Sequence, residues 1–188
     1  MKTPSKYRQM EHVHIMQEMA RLFKPALYIE FGVKRGYTFN AMSPFCSKAV
    51  AVDPVDYGCL EMHDHVQYYK MTSLEFSYEW SSDEKADFIF IDADHNYKAV
   101  LGDIARAKEL IKPFTGLIFM HDTYPIREEL LAPGYCSDAW RAARAVHKYR
   151  PEFEIVTLPG PWAGLSIVRY VPGCHGWMGF MERQGGDG

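Results

Sequence analysis

The sequence predicts an α/β fold built on a doubly wound, mostly parallel sheet of seven strands that ends in an antiparallel hairpin. Short, continuous apolar runs alternate with helix-length amphipathic segments along most of the 188 residues. This alternation is typical of parallel strands that are buried on both faces by the helices connecting them. The last two apolar runs are joined only by residues 159–164. Because a crossover helix does not fit there, we expect these two runs to pair as an antiparallel hairpin.

The individual elements follow in chain order from these patterns. Apolar residues at helical spacing predict a first helix from Met10 to Phe23, which Pro25 ends. Further helices are predicted at about 37–46, 97–111 and 137–149. Parallel strands are expected at 26–31, 49–53, 66–71, 88–92 and 116–120, and the hairpin strands at 153–158 and 165–170. We expect one domain over residues 1–183 and a flexible tail at 184–188.

Charge and composition argue against several classes of protein. The 21 basic and 24 acidic residues give a net charge of only -3, which disfavours nucleic-acid binding by bulk electrostatics. No segment approaches the roughly 20 apolar residues of a membrane span, and the N-terminus lacks the apolar stretch of a signal peptide. The four cysteines are widely spaced without a CxxC pair and are expected to be reduced. We therefore expect a cytoplasmic protein with no membrane partner.

Polar residues follow four of the predicted parallel strands. They are residues 30–38 (EFGVKRGYT), Asp53, residues 92–95 (DADH) and the pair at 121–122 (HD). In open α/β sheets, ligands bind outside the carboxyl ends of the strands, where the loops converge. The sequence therefore predicts one ligand site at that edge of the sheet.

The first of these segments indicates what kind of ligand the site takes. Its glycines stand at 32 and 36, and Lys34 occupies the place of the second glycine of a dinucleotide-binding turn, so a pyrophosphate could not approach the backbone as closely. Asp53, 23 residues after Glu30, is placed to accept hydrogen bonds from both ribose hydroxyls. A nucleoside without a pyrophosphate fits this pair better than a nicotinamide dinucleotide does.

The segment EFGVKRGYT resembles the E-x-G-x-x-x-G-Y-[ST] motif of class I S-adenosylmethionine-dependent methyltransferases, especially the metal-dependent catechol-type O-methyltransferases. The terminal hairpin is similar to theirs, and FIFIDADH, GLIFMHDT and WAGLSIVRY resemble small bacterial members such as the macrolide-sugar O-methyltransferases. The resemblance covers roughly residues 20–171. It implies a Rossmann-like sheet, S-adenosylmethionine as cofactor, and O-methylation of a hydroxyl on a small molecule or sugar.

The resemblance also implies roles for single residues. Glu30 and Thr38 would face the methionine end of the cofactor, Asp53 its ribose and Ser73 its adenine. The expected cofactor-binding set is Glu30, Gly32, Gly36, Thr38, Asp53, Ser73 and Asp92.

A second set of implied roles concerns the chemistry. Asp92, His121 and Asp122 match the metal ligands, and His95 matches the general base. His121 departs from the family's usual Asp-Asn or Asp-Asp pair. Oxygen-rich ligation favours Mg²⁺, whereas a coordinating histidine shifts the preference toward Mn²⁺, Fe²⁺ or Zn²⁺, and we expect Mg²⁺ or Mn²⁺.

Other interpretations of these residues stay open on the sequence alone. The chain could bind S-adenosylmethionine or another nucleoside without catalysis, and a nicotinamide-dependent oxidoreductase is disfavoured by Lys34. Asp92 could be a helix cap or turn carboxylate, although Asp94 suits that structural role better. His95 could be a hydrogen-bonded loop histidine.

Two histidine pairs and several aromatic residues lie outside the motifs. The pairs His12/His14 and His63/His65 have metal-like spacing, but we predict that they are solvated. The segment from Trp177 to Phe180 is expected to pack on the core, cover the acceptor pocket or form a dimer patch. Because the chain leaves little room for a capping domain, a second subunit of a homodimer could complete the pocket.

Overall fold

The computed structural model describes residues 11–160 and 163–173. The predicted tail at 184–188 and the segment from Trp177 to Phe180 lie outside these residues. The helices are α1 (Glu11–Phe23), α2 (Tyr37–Met42), α3 (Ser73–Glu79), α4 (Tyr97–Leu110) and α5 (Ala139–Tyr149). The strands are β1 (Leu27–Phe31), β2 (Lys48–Val52), β3 (Val66–Tyr69), β4 (Phe88–Ile91), β5 (Leu117–His121), β6 (Phe153–Leu158) and β7 (Leu165–Tyr170). None of the helices in these parts of the chain is long and apolar enough to cross a bilayer.

The seven strands form one sheet in the order β3-β2-β1-β4-β5-β7-β6. The pairings among β1 to β5 are parallel, and β7 runs antiparallel to both β5 and β6. Every residue of β1 and of β4 is buried, as expected for central strands covered on both faces. The predicted fold class, including the terminal hairpin, is confirmed.

Two features of the middle region differ from the sequence prediction. The third strand ends at Tyr69, two residues earlier than expected, and the unpredicted helix α3 follows it. A capping box begins α3: the Thr72 side chain accepts the Glu75 backbone N–H, and Glu75 accepts the Thr72 backbone N–H. The sequence TSLE carries this signature, so the helix start could have been recognised.

The alternation of side chains along β1 divides the core between two faces. Leu27, Ile29 and Phe31 join the cluster that contains residues of α3, α4 and α5. Tyr28 points to the opposite face and packs with residues of α1 and α2. Glu30, two residues further on, shares the face of Tyr28 and is only 1% exposed. Strand register therefore places this carboxyl group inside the α1–α2 side of the core.

The parallel register brings four loops to one level of the sheet. Phe31 at the end of β1 pairs with Val52 and with Ile91, and Ile91 pairs with Met120. The residues that follow these positions therefore emerge side by side at the carboxyl edge. The antiparallel strand β7 begins at the same edge, where Leu165 pairs with His121.

Candidate active site

A cavity of about 1390 Å³ opens at the carboxyl edge of the sheet. This volume exceeds the roughly 300–1,000 Å³ of most small-molecule pockets, so the cavity has room for two ligands side by side. The sequence-predicted residues that line it are Gly32, Asp53, Ser73, Asp92, His95, His121 and Asp122. The structure thus gathers residues from the ends of β1, β2, β3, β4 and β5 around a single space.

Three predicted cofactor residues, Glu30, Gly36 and Thr38, are not part of the cavity wall. Glu30 accepts a hydrogen bond from the Tyr28 hydroxyl, and burial raises its pKa well above the ordinary value. Thr38 Oγ1 lies 3.2 Å from His12 Nε2. The side chains of Glu30 and Thr38 thus have polar partners within the protein instead of facing the cavity.

The turn after β1 is held by Asp53 and by close packing. Asp53 Oδ2 accepts the Lys34 backbone N–H and Asp53 Oδ1 accepts the Val55 backbone N–H, both at 2.8 Å. Each carboxylate oxygen keeps a further lone pair for a ligand. Gly32 has φ +84°, and a Cβ added there would lie 2.3 Å from Ala93 Cα. The loops after β1 and β4 therefore touch through a position that only glycine fits.

Gly32→Ala is expected to lower the free energy of unfolding by about 2–5 kcal/mol, because left-handed backbone costs about 1–2 kcal/mol and overpacking about 1–3 kcal/mol. Urea denaturation measures the change. Gly58→Ala is the matched control, since Gly58 also has positive φ, at +63°, but has nothing within 4 Å. Equal losses in the two variants would contradict the close contact with Ala93.

Two carboxylates and two imidazoles meet beside this turn. His95 Nε2 lies 3.3 Å from Asp92 Oδ1 and 3.1 Å from Asp122 Oδ2. His121 Nδ1 lies 3.2 Å from Asp92 Oδ1 and 3.4 Å from Asp122 Oδ1. The four residues form one cluster between the ends of β4 and β5.

Electrostatics within the cluster favour charged imidazoles. Burial opposes protonation of His95, but hydrogen bonding to Asp92 and the charges of Asp122 and Asp92 outweigh it and raise its pKa to about 9. The same carboxylates raise the pKa of His121 to about 10 against its burial. Burial would raise the pKa of Asp92, yet the two histidines hold it well below the ordinary value. At neutral pH the cluster by itself therefore carries two protonated histidines beside the ionised Asp92.

Residues of the segment 134–138 contact this cluster, and nothing in the sequence pattern indicated these contacts. The Tyr135 carbonyl accepts a hydrogen bond from His95 Nδ1, and the Cys136 thiol donates to Asp122 Oδ1 at 3.4 Å. A carbonyl can only accept, so Nδ1 of His95 carries a hydrogen and Nε2 faces the carboxylates. Asp138 Oδ1 accepts the Tyr97 backbone N–H at 2.6 Å, which joins the same segment to the start of α4.

The prediction that His12 is solvated is wrong. Its ring lies 4.2 Å from the His121 ring, centroid to centroid, and stacks on Phe90 at 5.5 Å. Burial, and then the charge of His121, lower the pKa of His12 to about 3, so this imidazole is neutral at neutral pH. Helix α1 thus contributes a side chain that packs directly against the cluster.

The start of α4 shows which of Asp92 and Asp94 has a structural role in the turn before the helix. Asn96 is the helix cap, and its side chain accepts the Lys98 backbone N–H. Asp94 Oδ1 accepts the Asn96 backbone N–H at 2.9 Å, which is a structural role in the turn. Asp92 caps nothing and faces the two histidines instead.

A doubly wound sheet with this strand order, a glycine turn after its first strand and an acidic residue after its second defines the Rossmann-like methyltransferase class. Residues 29–123 match the family described as Methyltransferase domain, and the chain belongs to that family. This confirms the class predicted from the motifs, the class I S-adenosylmethionine-dependent methyltransferases.

Solved structures share the fold at low sequence identity. An O-methyltransferase from Bacillus cereus in complex with SAH has a TM-score of 0.67 and 16% identity, covering 86% of this chain and 81% of that chain. The Podospora anserina methyltransferase PaMTH1, bound to SAH, has a TM-score of 0.67 and 17% identity, covering 90% and 82%. The O-methyltransferase TomG from Streptomyces achromogenes, involved in tomaymycin synthesis and in complex with SAM, has a TM-score of 0.66 and 14% identity, covering 85% and 79%. None of the curated proteins matches the sequence significantly.

Proposed function

We propose that this protein transfers a methyl group from S-adenosylmethionine to a hydroxyl group of a small molecule or sugar. One observation carries the proposal: a single cavity contains both the ribose-type carboxylate Asp53 and the cluster of Asp92, His95 and Asp122. The methyl group of a sulfonium is already activated, so an enzyme needs mainly to orient donor and acceptor and to remove the hydroxyl proton. A cofactor site next to a candidate base meets both needs.

The residues of the cavity fit the proposed cofactor. Asp53 is 8% exposed, and its two oxygens are fixed by backbone N–H groups, which presents the carboxylate for ribose hydroxyls. Gly32 lets the backbone of the turn approach a ligand without a side chain in between. Glu30, Gly36 and Thr38 do not line the cavity, and we propose that they support the turn. The Bacillus cereus and Streptomyces achromogenes proteins, named as complexes with SAH and SAM, support the choice of cofactor.

Asp53→Ala is expected to weaken S-adenosylhomocysteine binding by about 1–3 kcal/mol, the scale for losing hydrogen bonds to a charged group. Isothermal titration measures the affinity, and circular dichroism establishes that the variant is folded. Asp64→Ala is the control, because Asp64 is an exposed carboxylate that does not line the cavity. Unchanged affinity in a folded Asp53 variant would remove this residue from the cofactor site.

We further propose that a divalent cation, Mg²⁺ or Mn²⁺, is held by Asp92 and Asp122 together with an imidazole. Asp92, His95 and Asp122 each offer one ligand atom, and these atoms lie within 4.8 Å of one another. The sequence predicted His121 as the third ligand, and its Nδ1 also lies between the two carboxylates. When bound, such an ion would lower the pKa of an acceptor hydroxyl and offset the carboxylate charge that otherwise keeps His95 protonated.

We assign His95 as the general base, with Nε2 as the atom that takes the proton. The Tyr135 carbonyl holds a hydrogen on Nδ1, so the neutral imidazole has its lone pair on Nε2. This atom points into the cluster at the cavity wall, and a hydroxyl bound there would be within hydrogen-bond reach. If His95 is the base, His121 is the imidazole left for the cation.

The acceptor and the assembly state are part of the same proposal. The space beside the cluster suits a small-molecule acceptor, and we expect no nucleic acid or membrane to take part. The second subunit that would complete the pocket remains a prediction, as does the cytoplasmic location. A strict monomer in a solution mass measurement would contradict the homodimer.

A further inference from the structure

A buried carboxylate on α4 forms part of the cavity wall at the cofactor side. Asp103 is only 4% exposed and lines the cavity together with Ser73, at the start of α3, and Arg106, one turn further along α4. None of the roles assigned above uses Asp103 or Arg106. A carboxylate this buried normally has a full set of hydrogen-bond partners.

The hydrogen bonds of Asp103 are unevenly shared between its two oxygens. Oδ1 accepts from the Ser73 hydroxyl and from Arg106 Nη1, the latter at 3.2 Å. Within the described residues, Oδ2 accepts no hydrogen bond from the protein. The Nε–H of Arg106 is buried without a partner among the same residues. The wall therefore offers a ligand one carboxylate oxygen that still needs a donor.

A ligand group that lies next to Oδ2 must be a hydrogen-bond donor. A carboxylate oxygen accepts an N–H or O–H hydrogen and repels a carbonyl oxygen. The 6-amino group of adenine is such a donor, whereas the 6-oxo group of hypoxanthine is an acceptor. Ser73, the residue predicted to face adenine, donates directly to Asp103, so the two side chains border the same part of the cavity.

We infer that Asp103 determines the base specificity of the cofactor site by accepting a hydrogen from the 6-amino group of adenine through Oδ2. Ser73 and Arg106 act as positioning residues, because both hold Oδ1 and thereby turn Oδ2 toward the ligand. This inference rests on the proposed S-adenosylmethionine site and adds to it the group that distinguishes an adenosyl from an inosyl compound.

The test uses isothermal titration to compare S-adenosylhomocysteine with S-inosylhomocysteine, in which a 6-oxo group replaces the 6-amino group and N1 carries a hydrogen. We expect wild type to bind the adenosyl compound at least about tenfold more tightly, as sites built for one hydrogen-bonding group reject its replacement. In Asp103→Asn, the amide oxygen can keep the bonds from Ser73 and Arg106, which places the amide N–H₂ where Oδ2 was. A donor at that place suits the 6-oxo group, so the preference should shrink to below about threefold or reverse.

Glu109→Gln is the matched control. It makes the same carboxylate-to-amide change on the same helix, but Glu109 is exposed and absent from the cavity wall. This variant should therefore prefer S-adenosylhomocysteine over S-inosylhomocysteine as strongly as wild type does. Equal affinity of wild type for the two ligands, or an unaltered preference in Asp103→Asn, overturns the inference. Binding of neither ligand by wild type instead overturns the proposed function, and the inference with it.

A third ligand keeps the test decisive if Asp103→Asn does not fold. The N6,N6-dimethyl analogue of S-adenosylhomocysteine retains the adenine ring but has no 6-amino hydrogen to donate. Wild type should bind it at least about tenfold more weakly than S-adenosylhomocysteine. Equal binding of the two compounds overturns the role of Asp103.

Discussion

His95→Gln is expected to lower the rate of methyl transfer by about 10²- to 10⁴-fold, the usual contribution of a positioned general base. Glutamine occupies similar space but cannot take up a proton near neutral pH. Release of S-adenosylhomocysteine in a screen of hydroxyl-bearing acceptors measures the rate. Cofactor affinity should change little, because Asp53 and Ser73 remain in place.

His147→Gln is the control for this substitution, since His147 is an exposed histidine on α5. It should leave the rate unchanged. Full turnover in a folded His95→Gln variant would show that His95 is a hydrogen-bonded loop histidine and no base.

Removal of divalent cations should lower methyl transfer by about 10²-fold or more, because a bound ion supplies several kcal/mol of charge stabilisation. The rate is measured before and after chelation, and we expect Mg²⁺ or Mn²⁺ to restore it. Asp92→Asn should lower the rate to a similar degree and abolish the response to added metal. Asp94→Asn serves as its control, because the hydrogen bond of the Asp94 side chain within the described residues comes from the Asn96 backbone N–H, and an amide oxygen can replace that acceptor.

The two experiments together separate the base from the metal. An intact rate after chelation, with a large loss in His95→Gln, would discard the cation and keep the base. If neither chelation nor either substitution lowers turnover, the cluster is structural. Its histidines would then neutralise the half-buried Asp92 and the buried Asp122.

The sheet was predictable because its central strands are continuous apolar runs. The run FIFI of β4 is apolar at every position, which is the pattern of a parallel strand covered on both faces. The proximity of Asp92 to His121 and Asp122 followed as well, because β4 and β5 are neighbours and their carboxyl ends lie at one edge. Local periodicity and connection length were sufficient for these features.

The contacts that complete the site depend on tertiary packing, which local periodicity does not encode. Residues 134–136 precede the predicted helix and have no helical or strand period, so nothing indicated that Tyr135 and Cys136 would contact His95 and Asp122. His12 stands next to the buried Val13 on α1. Whether a polar residue in that position faces the core depends on the strand that packs against the helix. The sequence did contain an indication that Asp103 is buried. This residue stands beside Ile104 on the apolar stripe of α4, where a charged residue is unexpected unless it has a partner or a function.

The position of β7 between β5 and β6 has a consequence for synthesis on the ribosome. The chain makes β5 and β6 before β7, which is the last of the described strands to emerge. In the described part of the sheet, β5 and β6 are joined through β7. Until residues 165–170 are available, the outer edge of β5 has unpaired backbone groups, and such an edge readily pairs with the wrong chain. We therefore expect nascent chains that stall before residue 165 to aggregate, even though every strand bearing a proposed catalytic residue has already been made.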